Sequence, residues 1–137
     1  MNKTVKKLIN DIKNNTYCRL GASKIHGAGI IAIRDIPKNT NPFLMNREEK
    51  WLKANIKDFG KLDKGIAEMI DAFFPAEGDG TIYLPDFGLN GINISYFLNT
   101  SKKPNVYTTN KGSVFKTLRK IKKGEELTID YKSYTKI

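Results

Sequence analysis

The residues of this chain whose types could do chemistry fall in three short stretches. HGAGI, residues 26–30, holds the single histidine, His26, beside two glycines. In YFLNTSKKPN, residues 96–105, three apolar residues run into the amides and hydroxyls of Asn99, Thr100, Ser101 and Asn105. GEELTIDY, residues 124–131, sets two glutamates before an alternation of Leu127, Ile129 and Tyr131. Taken alone, each has a plain reading. His26 has no sequence partner for a metal site or for a cysteine or serine triad, and reads as a turn residue or a simple hydrogen-bonder. Gly27 and Gly29 permit a bend and a close backbone approach. No Gly-Lys-Ser/Thr follows them, which excludes a Walker loop, and the dinucleotide fingerprint is incomplete. Adjacent glutamates on a strand or turn face apart, so Glu125 and Glu126 are poor paired carboxylates for glycosidase chemistry. Tyr131 is either a core tyrosine with a backbone partner or a group at a reacting centre. The polar cluster after Leu98 is either a turn or a binding site.

The elements that must position these residues follow from periodicity. Val5, Leu8, Ile9 and Ile12 fall at i, i+3, i+4 and i+7, predicting an amphipathic helix over residues 1–15. From Tyr17 to Thr40 the pattern is β-rich, with GIIAI the clearest strand, punctuated by Gly21, Gly27, Gly29 and Pro37. Asn46 predicts the cap of a helix with Glu48 and Glu49 in its first turn and Trp51, Leu52 and Ile56 on one face. A second helix is expected after Asp63, with Ile66, Met69, Ile70 and Phe73 as its stripe and Pro75 beyond it. EGDG is a tight turn, TIYL a strand closed by Pro85, SVFKTL a strand, and LTIDY the last strand. The expected layout is a single domain over residues 16–137, with a helical insert at about 46–90 and the N-terminal helix packed on it.

At 137 residues the chain is long enough to bury a modest core, and 39% hydrophobic with 28% charged residues is ordinary for a soluble globular protein. No run of about 18 apolar residues exists to span a membrane. The N-terminus lacks the apolar region of a secretory signal, and Cys18 is the only cysteine, so an intracellular setting is expected and an internal disulfide or cysteine-based zinc cluster is not. The net charge of +10 is carried almost wholly by lysine, since arginine occurs only at positions 19, 34, 47 and 119. Such a balance either coats a soluble surface or attracts an acidic partner such as nucleic acid. Base recognition is not expected, because it favours clustered arginines and exposed aromatics.

The three stretches, in this order, resemble the SET-domain family of protein-lysine methyltransferases. There a Gly-x-Gly turn opens the domain, a Phe-Ile-Asn-His-Ser-Cys-x-Pro-Asn motif lies late, and Gly-Glu-Glu-Leu-Thr-x-Asp-Tyr closes it. The match runs from about Tyr17 to Tyr131. It implies a mostly β fold of short antiparallel strands with a few helices, a helical insert shaping the substrate groove, and a C-terminal pseudoknot in which the chain's end threads beneath the polar cluster. The implied co-substrate is S-adenosyl-L-methionine, with no metal. By position, His26, Gly27, Ala28 and Gly29 match the turn that approaches it, and Asn99 matches the asparagine that binds its methionine part. Thr100, counted as a cofactor contact through its backbone, stands where the family usually has histidine, and Lys102 where it often has cysteine. Tyr131 matches the catalytic tyrosine and is also counted among the cofactor contacts. Tyr83 is placed as a cofactor contact and channel wall, Tyr107 as a channel wall, and Tyr134 as a cover in a short tail.

The resemblance implies methyl transfer to a protein lysine, with a histone or nucleosome among the candidate substrates and the nucleus, or a host-cell nucleus, as the compartment if so. No membrane partner is implied. The cysteine-rich, zinc-binding flanks of other members are not in this sequence. Where the family usually covers the cofactor and lysine channel with a longer tail, Tyr134, the N-terminal helix or the second subunit of a homodimer is expected to do so. The alternative reading is a SET-like module that binds a peptide or nucleic acid without catalysis.

Overall fold

The computed structural model describes residues 3–45, 50–109 and 114–132. Within them the chain is mostly short strands, with two α-helices. By its contacts it divides into two compact units, residues 1–46 with 97–137, and residues 47–96.

In the first unit, helix α1 spans Lys3–Asn15, as the apolar spacing predicts, and none of its residues is buried. Its C-terminal carbonyls are taken up by Arg34, whose guanidinium donates to the Lys13 and Asn14 oxygens at 3.3 and 2.7 Å and lies 4.1 Å from the centre of the Tyr17 ring. A cation at this end of a helix also meets the negative pole of its dipole. Strands β1 (Cys18–Ala22) and β2 (Ala28–Ala32) form an antiparallel hairpin, with Cys18 opposite Ala32 and Ala22 opposite Ala28. Strand β8 (Glu126–Ile129) pairs antiparallel with β2 on one side and parallel with β5 (Asn99–Thr100) on the other, giving the sheet order β1-β2-β8-β5. The β5–β8 pairing is thus a parallel exception among the expected antiparallel strands. The last strand in sequence lies between two strands far apart in the chain, the placement that a knot-like crossing requires. Strands β6 (Val106–Thr109) and β7 (Val114–Thr117) make a separate antiparallel ribbon. Ile30, Ala32, Ile36, Leu98, Val106, Ile121, Leu127 and Ile129 form the buried interior.

β8 corrects one expectation. LTIDY was expected to alternate as far as Tyr131, but Leu127, Thr128 and Ile129 are all buried and the strand ends at Ile129. A strand enclosed between two others is apolar on both faces, and its alternation fades. The apolar residues of YFLN also differ from a strand: residues Ile94–Phe97 form a 3-10 turn, and the strand begins at Asn99.

In the second unit, strand β3 (Trp51–Asn55) and strand β4 (Thr81–Pro85) form an antiparallel ribbon, with Leu52 opposite Leu84 and Ala54 opposite Ile82. This overturns the helix expected on Trp51, Leu52 and Ile56; its proposed cap at Asn46 and first-turn acids Glu48 and Glu49 lie outside the described residues. The helical signal belongs to Asn55 instead. Its Oδ1 accepts from the Lys57 N–H at 3.0 Å while Asp58 Oδ2 accepts from the Asn55 N–H at 3.1 Å, a capping box that starts the 3-10 turn Ile56–Phe59. Helix α2 spans Lys64–Phe73, following Asp63 as predicted. Ile70, Phe74 and Ile82 are the buried centre of this unit, and the Trp51 and Tyr96 rings lie 6.0 and 5.2 Å from that of Phe74.

Candidate functional site

The site grows from the turn between β1 and β2. Ser23 Oγ accepts from the backbone N–H groups of Ile25 and His26 at 2.9 and 3.1 Å, and the Ser23 N–H donates to the Gly27 carbonyl at 2.8 Å. The turn closes because Gly27 takes a left-handed φ of 50°, which residues with a Cβ adopt at a cost. Gly29 has a different reason. A Cβ there would stand 2.6 Å from Glu126 Oε2 and 3.0 Å from Ser23 Cβ, so a larger residue would push the Glu126 carboxylate and Ser23 out of this turn.

Asn99, at the start of β5, binds this turn to the sheet. Its side-chain N–H₂ lies within 2.9–3.2 Å of Ser23 Oγ, the His26 and Ala28 carbonyls and Glu126 Oε2. The Ser23 hydroxyl in turn donates to Glu126 Oε1 at 2.7 Å. One residue on, Thr100 Oγ1 accepts from the Tyr131 backbone N–H at 3.1 Å. The Tyr131 hydroxyl donates to the Leu98 carbonyl at 2.7 Å, and burial of the phenol pushes its pKa above the ordinary 10.0. Tyr131 nevertheless remains 49% exposed. A protonated phenol oxygen can accept a hydrogen bond as well as donate one.

The structure therefore brings together His26, Gly27, Ala28, Gly29, Asn99, Thr100 and Tyr131, residues separated by up to about a hundred positions in the chain. Tyr107 stands on β6 opposite Lys116 of β7, on the separate ribbon, and Tyr83 is an exposed residue of β4 in the other unit. Tyr134 lies outside the described residues. Sequence reasoning missed Ser23 and Glu126 as members of the site and placed Asn105 in the polar cluster without a role. Asn105 is buried; its amide donates to the Glu126 carbonyl at 2.9 Å and its Oδ1 accepts from the Thr128 N–H at 2.8 Å, so it holds β8 from the side. The signal was present in SKIHGAG and KKPN as polar residues at fixed offsets, but their partners are distant in sequence.

Residues 47–96 contain a groove of about 440 Å³ lined by Leu52, Phe59, Ile66, Ile70, Leu84 and Leu89, and none of the site residues named above belongs to it. Among the described residues no group of three or more His, Cys, Asp or Glu side chains stands where it could hold a metal ion. No helix among them is long and apolar enough to cross a membrane.

The family model of the SET domain matches residues 27–132. The chain belongs to the SET-domain family. Its fold is similar to that of a Plasmodium falciparum protein described as a candidate histone methyltransferase, with a TM-score of 0.55 and 18% identity over 85% of this chain and 93% of that one. It is also similar to a chain in a humanised mutant of the Chaetomium thermophilum Polycomb Repressive Complex 2 bound to the inhibitor GSK126, with a TM-score of 0.54 and 21% identity. That match covers 85% of this chain and 15% of the other. No curated protein sequence matches it. The match to the family model begins at Gly27 and ends just past Tyr131, so it encloses β2, β5 and β8, the three strands that assemble the site.

Proposed function

We propose that this SET domain is a protein-lysine N-methyltransferase that uses S-adenosyl-L-methionine. The observation that carries the reading is the convergence of the Gly-x-Gly turn, Asn99 and Tyr131 around one short pairing, β5 with β8, in a chain of this family. The co-substrate would supply an electrophilic methyl group on a sulfonium. His26 to Gly29 would line it with backbone, and Asn99 would hold its methionine end both directly and by fixing the turn. This set fits a zwitterionic ligand, because it presents backbone groups and the Asn99 amide, with the Glu126 carboxylate behind them, around an open turn: a Cβ at Gly27 would meet nothing within 4 Å.

Only a neutral amine can attack the methyl carbon, and neutralising a lysine of reference pKa about 10.4 at pH 7 costs about 4.6 kcal/mol. Desolvation in a channel and repulsion from the sulfonium both lower that pKa, so no strong protein base is required. The lysine nitrogen forms the new C–N bond as the C–S bond breaks, its electrons pass to sulfur, and the amine proton leaves to solvent. What the protein contributes is alignment and electrostatics. The Tyr131 oxygen, anchored on Leu98, would orient the amine and methyl group. Tyr107 would wall the lysine channel, with Tyr134 or a second copy of the chain as its cover. A histone or nucleosomal lysine is the proposed substrate, which would place the protein in a nucleus.

Calorimetric titration of S-adenosyl-L-methionine, followed by incubation with methyl-labelled co-substrate and a panel of free histones, nucleosomes and cell lysate read by mass spectrometry, tests this. Saturable binding with label on lysine is expected. Binding without transfer to any protein would instead favour a non-catalytic peptide-binding module, and no binding at all would remove the reading.

A further inference from the structure

Beyond Thr117 the chain leaves β7 and runs beside residues 36–40. The Thr117 N–H donates to the Thr40 carbonyl at 2.9 Å, the Asn39 N–H to the Thr117 carbonyl at 3.0 Å, and Ile36 and Ile121 exchange both backbone bonds at 2.7 and 2.9 Å. Thr117 Oγ1 adds a bond to the Pro37 carbonyl at 2.6 Å. Ile36, Thr117 and Ile121 are fully buried, so this strip is fastened to the interior along its length. Its exposed cations are Lys38, Lys116, Arg119, Lys120, Lys122 and Lys123, with Asp35, Pro37, Asn39, Leu118 and Gly124 exposed between them. Two carboxylates oppose these six cations, Glu125 at 2.8 Å from Arg119 and Asp35 at 3.6 Å from Lys120. A net charge of +4 therefore remains on two paired segments of a few residues each.

We infer that this strip, residues 35–40 with 116–125, is a docking surface for the phosphate backbone of double-stranded DNA. Three features select that partner. No aromatic residue occurs in either segment, so the stacking platform that single strands need is missing. Arg119 is the one arginine of residues 116–125, and it is committed to Glu125 and the Lys120 carbonyl, so a bidentate reader of bases is missing as well. What remains is a row of lysines on an anchored backbone, the arrangement that contacts phosphates without reading sequence and binds by releasing counterions. The strip leads into the N-terminal end of β8, whereas Tyr131 follows its C-terminal end. The four residues of β8 separate the two by about 13 Å at 3.3 Å per residue, so DNA on the strip leaves the Tyr131 end of the strand open to a protein lysine.

Fluorescence anisotropy of a labelled random-sequence duplex of about 30 base pairs, between about 50 and 200 mM salt, tests the surface. The variant is Lys38→Gln with Lys122→Gln and Lys123→Gln. Its control carries the same charge change on exposed lysines of the other unit, Lys57→Gln with Lys61→Gln and Lys64→Gln. The strip variant is expected to lose roughly tenfold or more in duplex affinity and to flatten the log–log salt slope by up to about 2.7, at about 0.9 per lost phosphate contact, while the control binds like the parent. Thermal melts of both variants are expected to match the parent, because every substituted side chain is exposed. Equal loss in the two variants would reduce the effect to net charge and overturn the proposal. So would absent duplex binding at 50 mM salt, tighter binding of the single strand, or an equally strip-dependent affinity for a poly-glutamate peptide.

Discussion

Tyr131 and Asn99 sit on opposite sides of one question, whether a polar group in a fold serves packing or chemistry. Tyr131 is half exposed yet hydrogen-bonded to Leu98, so its ring is not a core element and its hydroxyl is nonetheless fixed. Tyr131→Phe is therefore expected to lower kcat by about 10²–10³ with a much smaller change in co-substrate affinity. Single-turnover methylation beside a thermal melt checks this; near-parental turnover, or a large drop in Tm that accounts for the loss, would end its catalytic candidacy. Its raised pKa adds a pH signature. Because the folded pKa lies above 10.0, the phenol stays protonated below that pH, and the stability linked to it is present there and lost as pH climbs through the folded value. The rate is accordingly expected to rise from pH 7 to 9 with the fraction of neutral substrate amine, with no descending limb below pH 10. A fall near pH 8.5 that vanishes in Tyr131→Phe would contradict the protonated phenol. Asn99 differs from its expectation in one respect: its amide nitrogen is directed at four acceptors of its own chain. Asn99→Ala is still expected to weaken S-adenosyl-L-methionine binding by about 1.5–3 kcal/mol. Part of that loss should reappear in Ser23→Ala, which keeps Asn99 but unties the turn. Unchanged affinity in Ser23→Ala would separate the turn from the binding site. Tyr131 and Asn99 were legible because their motifs are local; Ser23 was not, since its bonds to Asn99 and Glu126 join residues 76 and 103 positions apart.

At the scale of elements, legibility followed how much each segment depends on distant partners. α1, the β1–β2 hairpin region, α2 and TIYL carry their own periodicity or punctuation and lie where the sequence placed them. Trp51–Asn55 does not. Its apolar residues suit either a helix or a strand, and pairing with Thr81–Pro85 decides for the strand. β8 and β5 are harder still, because a two-residue strand has almost no pattern of its own and burial of Leu127, Thr128 and Ile129 removes the alternation of the other. Their stability rests instead on side chains such as Asn105, which is 3% exposed and bonds both the Glu126 carbonyl and the Thr128 N–H. Asn105→Ala leaves those two buried backbone groups without that partner, at about 1–3 kcal/mol for each. The expected outcome is a marked fall in Tm together with faster amide exchange along β8, while amides of α2 in the other unit change little. Uniform loss of protection across both units would show that Asn105 supports the whole chain and not this strand in particular.

For the whole molecule, the charge of +10 is unevenly divided. Residues 47–96 carry six lysines and arginines against nine acids, a net −3, and the remainder carries eighteen against five, a net +13. Composition made the sign legible from sequence, but not its concentration on the strip beside Ile36 and Ile121, which depends on pairing between segments about eighty residues apart. The division has a consequence for substrate choice. A free basic peptide is repelled by the molecule's overall charge, a repulsion that salt screens over a Debye length of about 10 Å at 0.1 M. A nucleosomal substrate is attracted through its phosphates, and salt weakens that attraction steeply, by about 0.9 log units per contact per tenfold change in concentration. Raising salt from about 50 to 200 mM should therefore raise the KM for a nucleosome severalfold or more, yet leave that for the free peptide level or lower. With four phosphate contacts, one for each net positive charge on the strip, the nucleosome effect would reach about two log units. Steady-state methylation of both substrates across the same salt series measures it. Parallel rises in the two KM values would mean that acidic residues of the 47–96 unit, and not the lysines, dominate substrate capture.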